Sequence, residues 1–169
     1  MTSKTRNMKW NYILTTAVLL IFSNIALAQD IKFGGTRPPD TAVINLLGRY
    51  EEAARNFKSV AERDARRKPL LSAGYFYHGM DGAPVDLDSL TRRQTKNKFT
   101  PGKDSLYSFT LFQYENTAIF SYKSYSTGGI DKGKSYEGTG SALIIMSKEN
   151  GVWKIVSDII GQDPTKNNN

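Results

Sequence analysis

The last long apolar stretch of the chain, "GVWKIVSDII" from Gly151 to Ile160, is rich in β-branched and aromatic residues. That is the composition of a strand, in which successive side chains point to opposite faces of a sheet. Counted from Trp153, one face carries Trp153, Ile155, Ser157 and Ile159, and the other carries Lys154, Val156 and Asp158. The bulk of Trp153 and Ile155 marks their face as the inner one. Ser157 and Ile159 are then expected to look inward, and Asp158 to stand outside beside Lys154 as a surface ion-pair partner.

Three similar segments precede it: "SLYSFTLFQY" (105–114), "AIFSYKSY" (118–125) and "GSALIIMS" (140–147). They are separated by "ENT", a Gly-rich loop and "KENG", so the four strands are expected to form an antiparallel meander. Further upstream, "LDSLTRRQTK" (87–96) reads as a short helix capped by Asp86 or Asp88. Before that comes an aromatic strand, "GYFYHGM" (74–80), followed by a turn at Asp81-Gly82. From Asp40 or Thr41, apolar residues recur at Val43, Leu47, Tyr50, Ala54, Phe57 and Ala61, one face of a long helix that Pro69 ends. A break is expected near Phe57 to Val60. The Gly- and Pro-rich residues 29–39 read as a flexible lead, residues 40–161 as one domain, and residues 162–169 as a disordered tail.

The Gly-rich loop "GGIDKGKS", Gly128 to Ser135, matches the phosphate-loop pattern G-x-x-x-x-G-K-[ST]. A phosphate loop works by ending a strand and opening a helix whose N-terminal amides hold the phosphates. Here the following residues, "YEGTGSALIIMS", carry Gly138 and Gly140 and then a strand-like run. The match is therefore read as chance, with the loop forming a long hairpin connection.

The first residues place Lys4, Arg6 and Lys9 ahead of an apolar run from Tyr12 to Ile25, closed by the small-x-small triplet Ala26-Leu27-Ala28. This is the layout of a cleavable signal peptide (residues 1–28), with cleavage after Ala28, and the run is short for a stable membrane anchor. A periplasmic or secreted product follows as the expectation. Removing 28 of the 169 residues takes away three basic and no acidic residues, so the net charge of the remaining 141 falls from +7 to +4. The absence of cysteine excludes a disulfide framework and a lipid-modified cysteine. Basic residues cluster in "ERDARRKP" and "TRRQTKNKFTPGK" without a nucleic-acid-binding motif, so no nucleic-acid partner is expected.

The order of long helix, strand, short helix and four-strand meander, closing on Gly151-Val152-Trp153-Lys154-Ile155-Val156, resembles the nuclear transport factor two-like superfamily. That group includes ketosteroid isomerases and polyketide cyclases of the SnoaL type, and the resemblance spans about residues 40–161. It implies an α+β fold in which N-terminal helices pack on a curved, mainly antiparallel sheet to leave a cone-shaped pocket.

Catalysts of this group carry a carboxylate, tyrosine or histidine in the pocket. The candidates here are Tyr77, His78, which is the one histidine of the chain, and Asp81. Ser157 and Ile159 stand where many relatives have a histidine, which weighs against acid–base chemistry. Aromatic enrichment at Phe109, Phe112, Phe120, Tyr122 and Tyr125 suits a small apolar or aromatic ligand. Tyr77, Phe109, Tyr122, Ser157 and Ile159 are the expected ligand-binding residues. Neither a cofactor nor a metal site is expected, because the carboxylates near His78 serve as turn and cap residues. The reading favours a binding domain without catalysis; its alternatives are a cofactor-free isomerase, cyclase or hydrolase, and a homodimeric interaction module.

Overall fold

A computed structural model describes residues 32–55, 57–79 and 83–162 of the chain. The signal segment, the Asp81-Gly82 turn and residues 163–169 lie outside the described residues.

The first helix, α1 (Thr41–Arg55), begins where its cap was expected: Asp40 Oδ1 accepts from the Ala42 amide at 2.9 Å. Its buried side chains are Val43, Ile44, Leu46, Leu47, Tyr50 and Ala53. The helical path is interrupted where expected, and α2 (Val60–Arg67) starts on the N-cap Ser59, with Glu62 reaching back to the residue before it. Ser59 Oγ accepts from the Glu62 amide, and Glu62 Oε2 accepts from the Lys58 amide. A 3₁₀ turn at Lys68–Leu70 then leads into β2 (Leu71–His78). Helix α3 (Leu87–Lys96) is capped by Asp86, whose Oδ1 accepts from the Ser89 amide at 2.6 Å and whose carboxyl is thereby held below its ordinary range.

The meander consists of β3 (Lys103–Gln113), β4 (Thr117–Asp131), β5 (Lys134–Glu149) and β6 (Val152–Gln162). These four strands pair antiparallel in sequence order. Two edges are added in parallel: β2 on β6, and a four-residue strand β1 (Lys32–Gly35) on β3. The full order is β1-β3-β4-β5-β6-β2. The lead expected to be flexible therefore contributes a strand: its short run pairs with Thr110–Gln113, and Thr36 and Arg37 both donate to the Gln113 carbonyl.

The long hairpin loop expected at residues 128–135 is instead a two-residue turn. Strands β4 and β5 run through the Gly-rich segment to Asp131 and Lys134, and Lys132 and Gly133 turn the chain at φ 52° and 74°. That is the left-handed pair which a tight hairpin of this twist requires. Strand β5 runs on through Ser135, so the segment has no helix N-terminus to present to a phosphate.

The helices cover one face of the sheet. The core between them joins Val43, Leu47 and Tyr50 of α1 to Leu106, Phe109 and Leu111 of β3, Phe120 of β4, Ile144 and Met146 of β5, and Trp153 and Ile155 of β6. Phe109 and Phe120 stack with centroids 6.0 Å apart.

Candidate functional site

Which face each β6 residue shows follows from its partners on β5. Trp153 lies opposite Lys148 and Ile155 opposite Met146, but Ser157 then lies opposite Ile145 and Asp158 opposite Ile144. The register slips by one residue at Val156, a β-bulge. Each bulged residue reverses the alternation that follows it. Beyond Val156 it is Asp158 and Ile160, opposite the buried Ile144 and Ala142, that face the helices.

The expectation for this strand is corrected on both counts. Asp158 is not a surface residue beside Lys154; it is buried on the inner face. Ser157 and Ile159 turn to the outer face, where their cross-strand neighbours are Phe76 and Ile145, and His78 and Leu143. Ser157 is wholly buried there, and its Oγ has no hydrogen-bond partner among the described residues.

On the inner face, Asp158 is the end of a buried polar network. Its Oδ2 accepts from the Tyr50 hydroxyl at 2.9 Å and from Arg67 Nη2 at 3.1 Å. The Arg67 guanidinium lies over the Tyr50 ring at 4.0 Å and approaches Asp64 at 3.8 Å. Arg63 grips Asp64 with Nε and Nη2 at 2.7 and 2.9 Å and donates to Gln94 Oε1. Thr91 Oγ1 lies 2.7 Å from Asp64 Oδ2, so the network reaches α3. Two cations and two anions balance. Burial nevertheless pushes the Asp158 carboxyl above its ordinary range, against the pull of Arg67 and Arg63.

One helical position from Tyr50 stands Glu51, which no motif had singled out. It is four residues after Leu47 and eight after Val43, and so belongs to the buried stripe of α1. Its side chain is 16% exposed, and its nearest cation is Arg55 at 3.9 Å, on the rim. Burial raises the Glu51 carboxyl to about 7; Arg55 opposes this, while the charges of Asp158 and Asp104 add to it. The same three carboxylates act on Tyr122 of β4, whose hydroxyl is pushed well above its ordinary range, chiefly by burial. Tyr75 on β2 is raised in the same way, with Asp158 as the largest charge contribution. Its hydroxyl is 3.4 Å from that of Tyr50. Between α1 and the inner face the structure thus gathers a carboxyl that titrates near neutrality, tyrosine hydroxyls that stay protonated, and aromatic rings.

The remaining expected residues divide by face. Tyr77 lies opposite Asp158 and so shares the inner face, with the Arg93 guanidinium 6.0 Å from its ring. Tyr122 also lies on that face and packs against the core. Phe109 is 5% exposed and sits in the core itself. His78 lies opposite Ile159 on the outer face, so Tyr77 and His78 do not converge on one atom. Asp81 falls outside the described residues. Among the described residues no three His, Cys, Asp or Glu side chains gather as metal ligands, and no helix is long and apolar enough to cross a membrane.

Neither a protein-family model nor a curated protein matches the sequence. Solved structures do match. A nuclear transport factor two-like protein of Cytophaga hutchinsonii is similar over 75% of this chain and all of its own, with TM-score 0.60 and 12% identity. A candidate calcium/calmodulin-dependent kinase II association domain of Exiguobacterium sibiricum is similar over 78% of this chain and all of its own, with TM-score 0.59 and 16% identity. A candidate ketosteroid isomerase of Shewanella frigidimarina is similar over 72% of this chain and 96% of its own, with TM-score 0.55 and 14% identity. At these identities the likeness is one of fold.

Proposed function

We propose that this chain, a domain of the nuclear transport factor two-like fold, is an exported protein that binds a small, largely apolar molecule between α1 and the inner face of the sheet. The observation that carries this reading is Glu51: a carboxyl on the apolar stripe of a helix, whose ion-pair partner among the described residues is the rim arginine Arg55 at 3.9 Å. Placing an acid there costs stability that an apolar residue would not, and groups perturbed in this way concentrate at functional sites. Glu51 and Tyr122 are the polar contacts, and the aromatic side chains of β3 and β4 supply the apolar wall.

The test is a thermal-shift screen of the purified protein against steroids, aromatic polyketides, fatty acids and sugar phosphates. A ligand at ~100 times its dissociation constant adds about 2.7 kcal/mol to stability. A compound whose shift shrinks in Glu51→Gln and Tyr122→Phe supports the reading. Hits that neither substitution weakens place binding elsewhere and overturn it.

A catalytic reading has one specific observation in its favour, since a carboxyl that titrates near neutrality suits general acid–base work. It replaces the trio of Tyr77, His78 and Asp81 with Glu51 as the proton-transfer group. Turnover of a screening hit that disappears in Glu51→Gln would establish it. A homodimer is favoured by the outer face, where Phe112 and Leu143 are 38% and 39% exposed. Light scattering of the parent and of Leu143→Lys tests this. For export, the test is the mass of the mature protein, which should begin at Gln29.

A further inference from the structure

We infer that Arg67 and Asp158 hold between them the oxygen of one O–H group, which accepts from Arg67 Nε and donates to Asp158 Oδ1. That chemistry has two sources, a single buried water or the alcohol of a bound molecule. The site belongs to the polar network at β6 and is independent of Glu51 as a ligand contact.

Among the described residues, Arg67 Nε and Asp158 Oδ1 are buried and have no hydrogen-bond partner. They are a donor and an acceptor on two residues already joined, since Arg67 Nη2 donates to Asp158 Oδ2 at 3.1 Å. Each is two covalent bonds from an atom of that contact. Both side chains are more than nine-tenths buried, at 7% and 9% exposure. A buried donor or acceptor without a partner costs stability, and nearly all such atoms in folded proteins are paired.

The neighbouring pair shows what direct closure looks like. Arg63 grips Asp64 side-on, with Nε on one carboxylate oxygen at 2.7 Å and Nη2 on the other at 2.9 Å. Arg67 has the same edge available, but of its Nε and Nη2 only Nη2 engages Asp158. Tyr50 accounts for the difference. Its ring lies under the Arg67 guanidinium at 4.0 Å, and its hydroxyl donates to the same Oδ2 at 2.9 Å. An oxygen held by a hydroxyl in the plane of the ring and by a guanidinium nitrogen above it lies between the two levels. The carboxylate therefore meets the guanidinium out of plane, and Oδ1 stays clear of Nε.

The two atoms select the group that fits them. Arg67 Nε–H requires an acceptor, and a carboxylate oxygen requires a donor. A carbonyl supplies only the first, and an ammonium only the second. A hydroxyl oxygen supplies both at one atom and adds no charge to a pair that is already balanced. Water is the smallest such group, and buried waters bridge polar groups of this kind.

The experiment is a high-resolution crystal structure of the purified protein, with nuclear magnetic resonance of the Arg67 Nε–Hε group as a second measurement in solution. The expected result is one oxygen about 2.7–3.2 Å from Arg67 Nε and within hydrogen-bond reach of Asp158 Oδ1, with magnetisation transfer from Hε to the bound group. An isolated oxygen, with transfer at the water frequency, identifies the source as solvent. Density that continues into a carbon body, with transfer to non-exchanging protons, identifies it as the alcohol of a ligand. If Nε and Nη2 of Arg67 both meet the Asp158 carboxylate, as those of Arg63 meet Asp64, the inference is overturned. It is equally overturned if Nε or Oδ1 is bonded to another protein atom, or if the site shows neither density nor transfer.

Discussion

The hydroxyl of Tyr50 on the first helix donates to Asp158 on the last strand at 2.9 Å, joining residues 108 positions apart in the chain. Arg67 closes on the same carboxylate oxygen at 3.1 Å, so one atom ties α1, α2 and β6. Breaking a buried pair by removing one member leaves the other charge uncompensated. Asp158→Asn should therefore cost about 3–5 kcal/mol in urea unfolding. Combining it with Arg67→Met should cost less than the sum of the two single changes, because no buried charge is then left alone. Strict additivity would mean that the pair is not coupled.

Tyr50→Phe keeps the ring beneath Arg67 and removes only the donor. A hydrogen bond to a charged group contributes about 1.5–3 kcal/mol, and the loss should fall in that range. A change near zero would show that Arg67 alone satisfies Asp158.

Glu51 links stability to pH. Its carboxyl is raised in the folded state from 4.5 to about 7, so between these values the folded protein holds a proton that the unfolded chain has released. Stability contributed by this group is fully present below pH 4.5 and is lost as pH rises to about 7. Glu51→Gln, neutral throughout, should be more stable than the parent at pH 8 by roughly 1–3 kcal/mol, because each tenfold change in proton affinity corresponds to about 1.4 kcal/mol, and should match it near pH 4.5. Melting temperatures of both proteins at the two pH values decide this. A parent unchanged between them would show that Glu51 is fully solvated.

At the hairpin tip, Gly133 has φ 74° and no atom within 4 Å of an added Cβ, so only backbone strain opposes Gly133→Ala. The cost should be about 1–2 kcal/mol, as for any left-handed residue that carries a side chain. Lys134→Ala, at the lysine of the phosphate-loop pattern, should stay within ~0.5 kcal/mol of the parent.

Much of the fold was legible because helix and strand periods are written over many residues. The break between α1 and α2, the Asp86 cap and all four meander strands were recovered from spacing alone. What failed was phase. One extra residue at Val156 leaves the composition of a strand unchanged and reverses every face after it, so counting forward from Trp153 placed Asp158 outside. A second irregularity at Ser108, with φ 56°, puts Leu106 and Phe109 on one face three positions apart. Counting backward from Ile160 would have put Asp158 inside. Glu51 was visible as the acid within the stripe of Val43 and Leu47, but it was overlooked because only apolar residues were counted there. Strand β1 was hidden by its flanking Gly and Pro, since four residues carry little periodicity of their own.

The most direct test of the account is whether one ligand senses both Glu51 and Tyr122. In calorimetric titration of the best screening hit, Glu51→Gln and Tyr122→Phe should each weaken binding, and the double variant should lose less than the sum, as expected for neighbours that share a ligand. Wild-type affinity in both single variants would contradict the account and remove the ligand from the inner face of the sheet.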